Sequence, residues 1–254
     1  MIKTENAIFN MLVSTTVNQF FSENKIEPFD VNIEISSDFC KRYSEIRPDL
    51  SAKILEQRDS LSKGIGITIP PKNYDDKFTI LIREDCAEKI KSINVDCLGV
   101  AVHEITHVCD FKDYSRLIGN KDYTEILTHE MFRTWTEFHA DLNKWLFLEQ
   151  FFHDTLDDIV DRILPAHTKY VCQEFDKGVY LIDKLYYIAH FLGRLYMWEC
   201  QFPCFFTKQV TDKILSYEWM KELYLFLKAH TSIEKTYREF DLMNEIINTA
   251  FKSL

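Results

Sequence analysis

Glycine and proline are scarce in this chain, with six of each among 254 residues. That scarcity disfavours a turn-rich sandwich, and the absence of a G-x-G-x-x-G or Walker-type loop sets aside the doubly wound nucleotide folds. Long helices suit such a composition better. Positive charge is also short: 30 Lys and Arg stand against 40 Asp and Glu, a formal net charge of -10. With no basic cluster to interrupt that balance, nothing draws the chain to phosphate backbones or anionic lipid. Nucleic acid and membrane are therefore not expected partners.

The seven cysteines, Cys40, Cys86, Cys97, Cys109, Cys172, Cys200 and Cys204, are odd in number and contain no C-x-x-C pair. Neither a disulfide framework nor a zinc finger is suggested, and they read as reduced, mostly buried thiols. The opening Met1-Ile2-Lys3-Thr4-Glu5-Asn6 lacks the basic start and long apolar run of a secretion signal. No run reaches the length of a membrane span: the most apolar stretch, Tyr180 to Trp198, includes Asp183, Lys184, His190 and Arg194. The expected location is the cytoplasm.

What is present has a clear order. Residues 4 to 22 carry Ile8, Leu12 and Phe20 with intervening Phe9, Val13 and Phe21, which predicts an amphipathic helix. Phe29 to Ile35 alternates strictly and predicts a strand buried on one face. Arg42 to Lys63 is charged and mostly helical, with a break or helix start at Pro48. Gly64 to Ile69 and Phe78 to Ile82 predict two further strands around the turn-forming segment Pro70 to Asp76. The expectation is a small antiparallel sheet, with Lys77 to Glu84 as its edge, able either to pair with an extended peptide or simply to roof the next helix.

From Thr124 onward the pattern is helical, in segments near 124–152, 155–175, 178–200, 208–230 and 231–252, with breaks near Pro165, Gly178 and Pro203. The fold class is α+β: a small sheet, an active-site helix and a large helical C-terminal part. One compact domain over residues 1–254 is expected; if there are two lobes, 1–120 and 121–254, they divide in the loop Ile118 to Tyr123.

The chemistry is concentrated in Leu98-Gly99-Val100-Ala101-Val102-His103-Glu104-Ile105-Thr106-His107, an apolar lead-in ending in H-E-x-x-H. On a helix, His103 and His107 project from one face about a turn apart and can hold one metal ion. Glu104 lies 100° away, poorly placed as a ligand but well placed to take a proton from water at the metal. Leu98, Val102 and Ile105 would bury another side, and Gly99 leaves room one turn before His103. As plain structure, the same segment is an amphipathic helix with polar histidines.

A hydrolytic zinc site needs a third protein ligand and a position for water. Trp135-Thr136-Glu137-Phe138-His139-Ala140-Asp141 offers candidates. Glu137 and Asp141 share a helical face, so one can bind metal while the other orients an imidazole; His139 is the alternative ligand. Asp110, one turn beyond His107, reads as a helix-end aspartate facing solvent, and Glu130 as a surface carboxylate. Asp183, Tyr187, His190 and Arg194 recur at spacings of four, three and four. That polar stripe either faces solvent or brings His190 or Tyr187 to the oxyanion of a hydrolytic reaction. His129, His153 and His167 offer less.

These motifs resemble the gluzincin zinc metallopeptidases, in which H-E-x-x-H is followed on a second helix by E-x-x-x-D. The resemblance spans Cys97 to Asp141. It implies His103, His107 and Glu137 as zinc ligands, Glu104 as general base and Asp141 as the residue that orients a histidine. The metzincin pattern is absent, since Asp113 stands where that group has its third histidine. The resemblance implies a zinc metallopeptidase that hydrolyses a peptide or protein substrate through a metal-activated water. The alternative is a non-catalytic zincin-fold module that binds or regulates a protein partner.

Overall fold

The computed structural model describes residues 6–56, 58–151, 155–177, 181–203, 215 and 217–252. These residues are mostly helical, with one three-stranded mixed sheet. They form two compact units, Met1–Thr124 and Glu125–Leu254. The predicted dividing loop ends at Tyr123. Gly178, His153, Cys204 and the start of the predicted helix 208–230 lie outside the described residues. No helix among the described residues is long and apolar enough to cross a membrane.

The first unit opens with α1 (Ala7–Glu23) and continues through β1 (Asn32–Ser36), α2 (Phe39–Ile46), α3 (Ser51–Glu56), α4 (Arg58–Lys63), β2 (Gly66–Ile69), β3 (Thr79–Arg83), α5 (Glu84–Lys91) and α6 (Val95–Ile118). The buried stripe of α1 runs through Phe9, Val13, Val17 and Phe20; Ile8 faces solvent, so the stripe is turned by one position from the predicted one. Asp38 caps α2 by accepting from the Lys41 amide. At Pro48 the chain leaves α2 for a single 3-10 turn, Pro48–Leu50. Beside it Arg47 is fully buried, doubly bonded to Asp49 and donating to the Pro70 carbonyl and the Thr124 hydroxyl. A charge can be buried at tolerable cost only when it is paired in this way.

The sheet corrects two expectations. Its order is β1-β3-β2, with β1 parallel to β3 and β2 antiparallel to it. The short link from β2 to β3 suits an antiparallel return, whereas β1 reaches β3 only after a long excursion through α2–α4, the kind of crossover parallel pairing needs. Consequently β3 is the central strand, and the segment expected at the edge lies inside. Thr79, Ile80, Leu81 and Ile82 are all buried, as a strand covered on both faces must be. The edges are β1 and β2.

Helix α6 packs against α1, α5, β2 and β3. Asn94 caps its start by accepting from the Cys97 amide, and Gly119, at φ +66°, ends it in the left-handed conformation that a side chain would strain. Between these limits every residue from Leu98 to Val108 is buried. Such a helix is not amphipathic; it is a central one. Leu98, Val102, Ile105 and Val108 each contribute about 1.5–3 kcal/mol by burial.

In the second unit α8 (Glu130–Glu149) is followed by α9 (Leu156–Asp158), α10 (Leu164–Lys177), α11 (Leu181–Gln201), α12 (Glu218–Ala229), α13 (Ile233–Thr236) and α14 (Phe240–Lys252), while a helical turn, α7 (Tyr123–Leu127), spans the division. The imidazole of His129 caps α8 by accepting from the Phe132 amide. Helix α8 lies along α11, and its Met131, Phe132, Trp135, Phe138 and Leu142 are buried. Gly193 permits the close approach: a Cβ there would stand 2.6 Å from the Phe138 carbonyl oxygen.

Candidate metal centre

Among the described residues, the side chains able to form part of a metal site are His103 and His107 in the first unit and Glu137, Asp141 and His190 in the second. In the first unit, His103, Glu104 and His107 are nearly inaccessible, at 7, 5 and 7% exposed. Burying polar groups is costly unless they have partners. The two imidazoles meet each other, Nε2 to Nε2 at 3.0 Å, with their rings at 86°.

Each neutral imidazole carries one N–H and one lone pair. Two ring nitrogens that converge in this way either share a proton or turn both lone pairs on a cation. A tetrahedral zinc with nitrogen ligands at about 2.0–2.1 Å would hold them about 3.3 Å apart. Opening the pair by a few tenths of an ångström suffices, and nitrogen is an ordinary zinc donor. The pair fits the metal that the sequence implies.

Glu104 is held from β2. The Thr68 hydroxyl lies 2.8 Å from the Glu104 Oε2 and 2.9 Å from the Glu104 carbonyl oxygen. Gly66 sits against the other side of the carboxylate, where a Cβ would come within 2.6 Å of Oε1 and 2.9 Å of Cγ. Asp110 departs from expectation: it is 3% exposed rather than facing solvent. The reason is length. Helix α6 continues to Ile118, so Asp110 lies in its interior, one residue before the buried Phe111, and the more open acidic position is the half-buried Asp113, paired with Arg116.

In the second unit, α8 and α11 bring Glu137, Asp141 and His190 together. His190 Nδ1 is 3.0 Å from Asp141 Oδ1, and its Nε2 is 3.2 Å from Glu137 Oε2. Burial alone would favour the neutral ring, but the two carboxylates outweigh it and hold the His190 pKa up at about 9. Asp141 also accepts from the Trp145 indole at 2.8 Å and faces the Lys144 ammonium at 3.4 Å. It is thus fixed on its own helix while it orients His190.

The other candidates are placed differently. His139 stacks on Trp135, with ring centroids 4.8 Å apart. Tyr187 meets Tyr170 edge-on, Glu130 is exposed, and the side chain of Asp183 lies outside the described residues. Arg194 lies 3.8 Å above the Trp145 ring and 4.7 Å from that of Trp198. Thr68, Gly66, Gly193 and Trp145 escaped the sequence reading. A glycine inside the strand Gly66–Ile69 and another inside the apolar helix α11 were the available signals, because each marks a close approach of backbone. Thr68 had none. No protein-family model, curated protein or solved structure matches this chain.

Proposed function

We propose that the protein is a zinc-dependent metallopeptidase of gluzincin type. The observation that carries this reading is the convergence of the His103 and His107 nitrogens at 3.0 Å inside a buried helix, with the Glu104 carboxylate on the next residue. In this reading His103 and His107 are two ligands, and Glu137 is the third by its place in the E-x-x-x-D pattern. Bound there, zinc would polarise the scissile carbonyl and lower the pKa of water toward 7.

The remaining work belongs to the chain. Glu104 accepts the proton of the attacking water and delivers it to the leaving amine nitrogen, the role of a general base that becomes a general acid. Asp141 holds His190 by Nδ1, and the Nε2 proton, which faces Glu137 at 3.2 Å, would serve the oxyanion once Glu137 is turned to a metal. Retention of Glu104 favours an enzyme over a binding module, because a purely structural zinc site has no use for a carboxylate beside its ligands.

The test is a comparison of the wild type with Glu104→Gln, combining metal analysis with turnover of a peptide library. The expected result is one zinc per chain in both proteins, with turnover by the wild type only. Equal turnover by both proteins would overturn the mechanism, and absence of metal from the wild type would overturn the zinc site.

A further inference from the structure

Positions 66 and 68 lie two apart on β2 and so share one face of the strand. That face meets Glu104 with two complementary features: the missing side chain of Gly66, whose place Oε1 and Cγ of Glu104 fill, and a hydroxyl at Thr68, beside Oε2. We propose that Thr68 is a positioning residue for Glu104, its hydroxyl fixing the carboxylate through Oε2 in the rotamer that proton transfer needs.

The hydroxyl has a single proton and two acceptors within reach, the carboxylate at 2.8 Å and the Glu104 carbonyl at 2.9 Å. The carboxylate takes it, being the nearer acceptor. The carbonyl has less need of it, because in a helix interior it already receives the amide four residues on. Thr68 is 8% exposed, so water competes little for its hydroxyl. A glutamate side chain otherwise samples several rotamers, and only a fixed one keeps its oxygen within proton-transfer reach.

The kinetic consequence rests on the peptidase reading; the positioning of Glu104 does not. The experiment therefore pairs crystal structures with kinetics for the wild type, Thr68→Val and Thr68→Ser. Valine keeps the shape and removes the hydroxyl, whereas serine keeps the hydroxyl. The expected result is that Glu104 leaves its place in Thr68→Val and stays in Thr68→Ser. With it, kcat falls in Thr68→Val by on the order of 10- to 100-fold at unchanged KM and zinc content, and recovers in Thr68→Ser.

A Glu104 side chain unmoved in Thr68→Val, or equal loss in both variants, overturns the proposal. If Thr68→Val does not fold, Thr68→Ala takes its place in the same comparison. Should the wild type turn over no peptide, the peptidase reading fails by itself, and the position of Glu104 in the crystal structures still decides for or against Thr68.

Discussion

Gly193 of α11 lies directly against Phe138 of α8: a methyl group on its Cα would stand 2.6 Å from the Phe138 carbonyl oxygen. The same methyl would meet the Leu142 amide nitrogen at 2.9 Å and the Asp141 Cβ at 3.2 Å. Backbone atoms in mid-helix cannot turn aside as a side-chain tip can. Alanine is the better helix former by about 1 kcal/mol, yet here it would force two packed helices apart, an overpacking that costs about 1–3 kcal/mol. Gly193→Ala is expected to lower the stability measured by urea unfolding. An equal or higher midpoint would show that the helices can separate without loss.

Gly66→Ala tests the other close approach. Its methyl would collide with Oε1 and Cγ of Glu104 and with Val100 Cγ1, the last at 2.7 Å. The glutamate is the part able to swing away. Turnover is expected to fall by on the order of 100-fold, the scale of a misplacement of about 1 Å at a reacting group. Zinc content is expected to stay near that of the wild type, because the histidine pair is not in the path of the methyl. Metal analysis beside peptide kinetics checks both halves, and full activity in the variant would count against Glu104 as the base.

His167 gives the second unit a dependence on pH. Burial, reinforced by the nearby Arg194 guanidinium and opposed by the Asp141 carboxylate, pushes its pKa down from 6.5 to about 4. Its Nδ1 is buried without a hydrogen-bond partner among the described residues, and its ring packs edge-on to Phe191. A depressed histidine binds its proton more readily in the unfolded chain, so its contribution is complete above pH 6.5 and is lost as pH falls from there through about 4. The loss amounts to on the order of 3 kcal/mol. Urea unfolding at pH 7, 5.5 and 4.5 is expected to show a steeper decline for the wild type than for His167→Phe. Parallel declines would exclude His167 as the cause.

Much of this arrangement was legible because periodicity reports directly on local structure. The spacing of His103 and His107 defined a helix and a shared face, and Asn94 and Gly119 now account for its ends. The alternation of Phe29 to Ile35 marked a strand, but nothing in it told which neighbour the strand would pair with or in which direction. That depends on what lies between strands, and the intervening helices decided it. Asp110 was misread because a polar residue after a motif looks like a helix end unless the glycine that stops the helix is given its due at 119. His190 could be placed on a stripe, but not beside Asp141, since which face of α11 meets α8 is set by Gly193. Thr68 was invisible for a simpler reason: a threonine in a strand is ordinary until the glutamate across from it is known.

The order of the strands has a bearing on how the first unit is made. β1 and β2 leave the ribosome earlier than β3, yet each forms its ladder with β3 and not with the other. Until Thr79 to Arg83 has emerged, both wait with their backbone groups bonded to water, and the pairing of β1, the strand distant in the chain, is the slower to form. The sheet then closes on a single late arrival. The helix that bears His103 and His107 is synthesised soon afterwards, with only α5 between, so the floor beneath Glu104 is complete only shortly before the residue it supports comes into being.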